Sequence, residues 1–165
     1  MRKIACLIIP LIGLLAAGCD PRLSTLSSSW IDGIPLDLAR RLGAQSVFMD
    51  AAEHDRFVAG ISHLPLVVAS ALVMATTQSP HWPKMSEVAA TGYQSATRLA
   101  SQHPRMNRDI CLSNGENIVA WIDEFAGEVE RLRTLIAEGD LSLEEAVDKA
   151  RQARNAWIEE HDKES

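Results

Sequence analysis

The stretch NGENIVAWIDEFAGEVERLRTLIAEG, residues 114–139, decides the fold class. Within it Ile118, Ile122, Phe125, Val129, Leu132 and Ile136 recur at alternating spacings of four and three. That period lays one continuous apolar seam along a helix, the pattern required when two long helices pack side by side. It predicts a helix from about Asn114 to Glu138, stopped by Gly139. Downstream, Leu143, Ala146, Val147, Ala150, Ala153 and Trp157 repeat the pattern and predict a last helix with Ser142 as its N-cap. The acidic residues 159–165 read as a frayed, solvated tail.

Upstream of the seam the punctuation is proline. A short helix is expected from Arg105 to Leu112, after the His103-Pro104 pair that ends a longer one over Lys84–Ser101. Thr76–Pro83, with Pro80 and Pro83, reads as a turn. Leu66–Met74 is almost wholly apolar and is expected to be buried on most sides. Pro65 removes a donor and crowds the carbonyl of Ile61, predicting a kink or break over Ser62–Pro65, with Ser62 available to cap the second segment. Asp50-Ala51-Ala52-Glu53 fits a capping box, so a helix is expected to start at Ala51. His54 and Asp55 are placed at the corner behind it as structural residues. Before Asp50, residues 45–49 form a brief strand-like run, and Pro35–Leu42 a short amphipathic helix stopped by Gly43.

Composition agrees with a helical reading. The chain has 165 residues, 47% hydrophobic but only 5% aromatic, which suits helices better than a β-sandwich. That length can bury a core without metal or disulfide staples. A net charge of -6 argues against a nucleic-acid binder, which needs a basic face. Cys6, Cys19 and Cys111 lie far apart, with neither zinc-type spacing nor a disulfide framework, so no metal site is expected. Cys111 reads as a small core residue. The class is all-α.

The front of the chain follows a different grammar. Met1-Arg2-Lys3 is basic, Ile4–Gly18 is apolar, and the run ends Leu15-Ala16-Ala17-Gly18-Cys19. This resembles a bacterial lipoprotein signal over residues 1–19, in which Cys19 is the lipidated residue. A buried strand or helix, or a misassigned start upstream of a truncated gene, is the competing reading of the same run. Residues 20–33, with Pro21 and four serines between Asp20 and Ser29, read as a tether. Membrane association is expected only through this N-terminal anchor, at the cell envelope; the alternative is a cytoplasmic location.

Five strings then stand in one order: Phe48–Asp55 (FMDAAEHD), Ile61–Pro65 (ISHLP), Thr97–Ser101 (TRLAS), Pro104–Ile110 (PRMNRDI) and Asn114–Asn117 (NGEN). In that register the chain resembles the C-terminal helical domain of prephenate dehydrogenases, the family that includes arogenate and cyclohexadienyl dehydrogenases. The likeness covers about residues 34–155, with 34–50 as a helix-and-strand remnant of a nucleotide-binding domain and 51–158 as the helical domain. It implies a homodimer and a pocket for a prephenate- or arogenate-like carboxylate. It further implies an NAD- or NADP-dependent oxidative decarboxylation in tyrosine biosynthesis. By the same resemblance His63 lies at the substrate pocket and Arg98 pairs with a substrate carboxylate. A planar, permanently charged guanidinium suits that task. Read from the residues alone, Arg98 is equally a surface cation or a partner of Glu87 or Asp109, and His63 a capping residue.

Two positions depart from the family: Ser95 stands where members usually carry Asp, and Asn107 where they usually carry Trp. No Gly-x-Gly-x-x-Gly occurs anywhere in the sequence, so the dinucleotide fingerprint and a complete Rossmann domain are not expected here. The family's principal catalytic histidine belongs to that nucleotide-binding part. Two functional expectations follow. One is the substrate-binding and dimerisation part of a prephenate dehydrogenase, inactive alone and either truncated or working with a separate nucleotide-binding domain. The other is a non-catalytic, membrane-tethered helical lipoprotein that dimerises or binds a small carboxylate.

Overall fold

The structure is a computed structural model that describes residues 3–7, 41 and 46–162. Cys19, the 20–33 tether, most of the 34–50 remnant and the last three residues of the tail lie outside the described residues. The chain divides into two compact units, Met1–Trp121 and Ile122–Ser165.

The first unit opens on a two-stranded antiparallel ribbon. Strand β1 (Lys3–Leu7) pairs with β2 (Ser46–Asp50), with Lys3 opposite Asp50 and Leu7 opposite Ser46. The strand-like run before Asp50 is therefore a strand, and the described residues after it form helices joined by short turns. Asp50 ends β2 in extended backbone and accepts the Glu53 N–H at 2.9 Å, so the chain turns into α1 (Ala51–Val58) where the capping pattern placed it.

The kink or break expected over Ser62–Pro65 takes the form of a π-helical widening, and the helix does not break. Helix α1 runs into a π-helical segment (Ala59–His63) and on into α2 (Leu64–Thr77), with Pro65 as the second residue of α2. The Leu64 N–H reaches back five residues to the Ala59 carbonyl. Widening the turn makes room for a proline ring that a regular α ladder would push against a carbonyl. Ser62 caps nothing; α2 begins without a side-chain cap. Within Ala51–Thr77 an 18-residue window with a mean hydropathy of 2.0 is long and apolar enough to cross a membrane, properties that a central core helix shares. Only Leu66 and Ala69 of α2 are buried, and Met74 is 55% exposed, so this helix is enclosed on one side rather than most.

The single helix expected over Lys84–Ser101 is three pieces. Helix α3 (Trp82–Glu87) carries Pro83 as its second residue, where proline costs no hydrogen bond, so the preceding turn ends before Trp82. After Val88–Ala90, α4 (Thr91–Thr97) passes into a 3-10 turn (Arg98–Ser101). Thr76 Oγ1 bonds Tyr93 Oη at 2.8 Å and Tyr93 meets Trp82 with ring centroids 5.7 Å apart, which ties α3 and α4 to the end of α2. The 3-10 turn packs on α2. Helix α5 (Pro104–Ser113) follows, with His103 as cap accepting the Arg105 N–H.

Helix α6 (Gly115–Glu138) matches its prediction to within a residue. Gly139, at φ 64°, ends it: the Gly139 N–H bonds Ile136 O and the Asp140 N–H bonds Leu135 O, a Schellman closure that needs left-handed backbone. Helix α7 (Ser142–Asp162) then starts one residue early, since Ser142 is helical and Asp140 is the acceptor for its N–H at 2.8 Å. That bond holds the Asp140 carboxyl below the usual range. The helix also consumes the front of the expected acidic tail, running through Asp162. Of the seam, Ile118 in the first unit is 3% exposed, whereas Val129 and Ile136 in the second are 47% and 65% exposed.

Candidate functional site

The π segment and the 3-10 turn together build the site. His63 closes the former, Arg98 opens the latter, and both line one cavity of about 240 Å³. Ser62 and Gln102 add polar groups, while Leu66, Leu99, Ile110 and Ile61 form apolar walls. Arg98 faces neither of the acids proposed for it from sequence: Asp109 is held by Arg108 at 2.6 Å, and among the described residues no carboxylate forms an ion pair with Arg98. A concavity with one permanent cation, one imidazole and apolar sides suits a small anion with a hydrophobic body.

A wider concavity of about 410 Å³ lies along Val129, Leu132 and Ile136 in the second unit. It is the open face of a single helix, bordered by Arg133, and lacks the converging polar groups of the His63 cavity.

Behind His63 sits a residue the sequence reading did not single out. Asn114 is buried (8% exposed) and donates from Nδ2 to the Asp55 carbonyl at 2.7 Å and to His63 Nδ1 at 3.3 Å. Its Oδ1 accepts from Asn117 Nδ2 at 2.7 Å. Trp121 Nε1 likewise donates to the Arg56 carbonyl at 3.3 Å. Asn114, just before α6, and Trp121, within it, thus bond carbonyls of α1 one turn ahead of the π segment. Gly60 lets Trp121 in, since a Cβ there would lie 2.7 Å from Trp121 Cε2. An asparagine before a helix reads locally as a cap, so only its place in the NGEN string could have flagged it.

Partial burial pushes His63 below the usual imidazole value of 6.5; the Asp55 charge opposes this and His54 reinforces it. His54 bonds the neighbouring Asp55 carboxylate at 3.2 Å and does not reach back to the strand, so of the corner residues only Asp50 holds the strand-to-helix junction. Cys111 is half-buried with a free thiol, and no cluster of metal-ligating side chains occurs among the described residues. At the two departures, Ser95 is exposed, and the buried Asn107 Oδ1 has no hydrogen-bond partner.

Residues 50–152 match the family model described as prephenate dehydrogenase, dimerization domain. The chain belongs to that family. It is 37% identical over 105 residues to a prephenate dehydrogenase of Bacillus subtilis, covering 63% of this chain and 28% of the relative. It is 32% identical over 130 residues to a cyclohexadienyl dehydrogenase of Zymomonas mobilis, covering 76% and 44%. Among solved structures, a prephenate dehydrogenase from A. aeolicus in complex with hydroxyphenyl propionate and NAD+ superposes with a TM-score of 0.60 at 32% identity, over 66% of this chain and 38% of that one. A Synechocystis arogenate dehydrogenase shares the fold at a TM-score of 0.67 and 22% identity, over 75% and 48%. The prephenate dehydrogenase dimerization domain accounts for most of this chain, and the chain spans less than half the length of these relatives. The all-α class expected from the seam is that of this domain, with the β1–β2 ribbon at its front.

Proposed function

We propose that this chain supplies the helical, substrate-facing half of a prephenate dehydrogenase site and that a second copy of it completes a homodimer. The observation that carries the reading is the meeting of His63 and Arg98 on one cavity, in a domain whose relative from A. aeolicus was solved with hydroxyphenyl propionate. Arg98 pairs with a ligand carboxylate, and His63 hydrogen-bonds an oxygen of the same ligand. At about 240 Å³ the cavity is smaller than the roughly 300–1,000 Å³ of a complete ligand pocket, as one wall of a shared site would be. In the whole family the nicotinamide coenzyme, NAD or NADP, takes the hydride. The sequence carries no glycine-rich turn to cradle its phosphates, so the residues here do not fit that group. The residues of this sequence therefore do not oxidise prephenate by themselves, and that step needs a nucleotide-binding domain as well.

Calorimetric titration of 3-(4-hydroxyphenyl)propionate into the chain tests the reading. Binding should weaken by roughly 1.5–3 kcal/mol in Arg98→Ala, typical of a lost charged hydrogen bond. Unchanged affinity would remove Arg98 from the site, and NAD-dependent turnover by the chain alone would overturn the division of labour.

The Leu15–Cys19 string supports a second reading, a lipid-tethered, non-catalytic member of the family at the cell envelope. Mass spectrometry of the native N-terminus separates the two: a lipid on Cys19 favours the tethered form, an unmodified Met1 the cytoplasmic one.

A further inference from the structure

Asn114 meets one group that cannot change roles. The Asp55 carbonyl, 2.7 Å away, only accepts, so the Asn114 atom facing it is the amide nitrogen. A flipped amide would set oxygen against oxygen at that distance. Asn117 Nδ2 occupies the other side of the amide, on Oδ1. The second N–H of the same nitrogen is what remains for His63 Nδ1 at 3.3 Å, and a donor there requires a lone pair on Nδ1. The neutral ring must then carry its proton on Nε2. A doubly protonated ring would oppose two donors across that contact. The charged and titratable groups around the ring are Asp55 and His54 on α1 and Arg98 across the cavity; none of them replaces Asn114 at Nδ1.

We propose that Asn114 is a positioning residue that locks His63 as its Nε2–H tautomer, so that the cavity offers a neutral donor beside the Arg98 cation and takes an anion bearing a second, acceptor oxygen. The ligand side of this statement rests on the reading given under Proposed function; the tautomer does not.

Long-range proton–nitrogen correlation spectra of the full chain, labelled with 15N-histidine, read the tautomer without any ligand. His63 should show a bare Nδ1 and a protonated Nε2 at neutral pH. In Asn114→Asp, which places an acceptor carboxylate against Nδ1, the proton should move to Nδ1 and the ring should titrate at higher pH. A protonated Nδ1 in the parent chain, or a tautomer unmoved by Asn114→Asp in a chain that still folds, would overturn the proposal. Should that variant fail to fold, the parent spectrum alone decides.

Titration with 3-(4-hydroxyphenyl)propionate supplies the second arm. Asn114→Ala should weaken binding roughly three- to tenfold, the worth of one neutral hydrogen bond, and should cost nothing further in a His63→Ala background. An Nε2–H ring in a chain that binds no ligand leaves the tautomer lock standing and removes the functional reading. Binding with an Nδ1–H ring does the reverse.

Discussion

Gly60 and Gly127 are both helical glycines, and the regions around them have opposite fates. At Gly60 the helix has widened into a π turn and the Trp121 indole lies where a Cβ would go, while Asn114 and Trp121 bond the preceding carbonyls. At Gly127, midway along α6, nothing lies within 4 Å of a Cβ position. The first region has used its irregularity to build a cavity with an oriented imidazole. The second is a regular helix whose side chains pair locally, as Arg131 does with Glu128 and Arg133 with Glu130, and whose apolar seam stays open. The difference lies in what covers each surface. A polar, irregular backbone must be satisfied within its own unit, because an orphaned buried carbonyl costs too much. An apolar stripe can be left for a second molecule, and large exposed apolar patches on soluble domains mark such surfaces.

That contrast can be broken from either side. The largest effect belongs to the open seam: Val129→Glu should cost the proposed dimer roughly 2–4 kcal/mol of association, as loss of a central interface anchor does. Sedimentation at micromolar concentration should show monomer, and a monomeric parent chain would remove the interface outright. Next comes Gly60→Ala, which forces Trp121 to move and should lower unfolding stability by about 1–3 kcal/mol, the cost of overpacking. The same change at Gly127 should have the opposite sign and add about 0.4–1 kcal/mol, since alanine restricts the unfolded chain and meets no neighbour. Urea denaturation of the two variants side by side decides whether one glycine is a packing requirement and the other only a flexible link.

The smallest expected effect is a pH dependence. Because the folded-state pKa of His63 lies below 6.5, the unfolded chain takes up its proton first. The stability this ring contributes is present above 6.5 and is lost as the pH falls through the folded value. Between about pH 7.5 and pH 5.5, the parent chain should therefore lose more stability than His63→Gln. Equal losses would mean that His63 is as well solvated as an exposed histidine.

Much of the helical part was legible because its signals are local. Asp50 with Glu53, Gly139 at its left-handed stop and the four-three spacing of α6 each act within a few residues, and the structure places all three as read. Pro83 and Ser142 were misassigned by a residue or two, since proline and serine suit either side of a helix start. The division of Lys84–Ser101 into two helices and a 3-10 turn has no local signal that we can identify.

The site was legible only as two names in two strings. Nothing in the spacing of His63 and Arg98 says that they share a cavity; that follows from the 3-10 turn packing on α2. The proline at 65 announced an irregularity, and the helix widens there rather than breaking, with the Leu64 N–H on the Ala59 carbonyl. Sequence by itself determined the Asp50 cap, the Gly139 stop and the apolar stripe of α6, because those depend on residues within one or two turns. Only tertiary structure decided the Gly60–Trp121 contact and the Asn114–His63 bond, because each needs a partner more than fifty positions away along the chain.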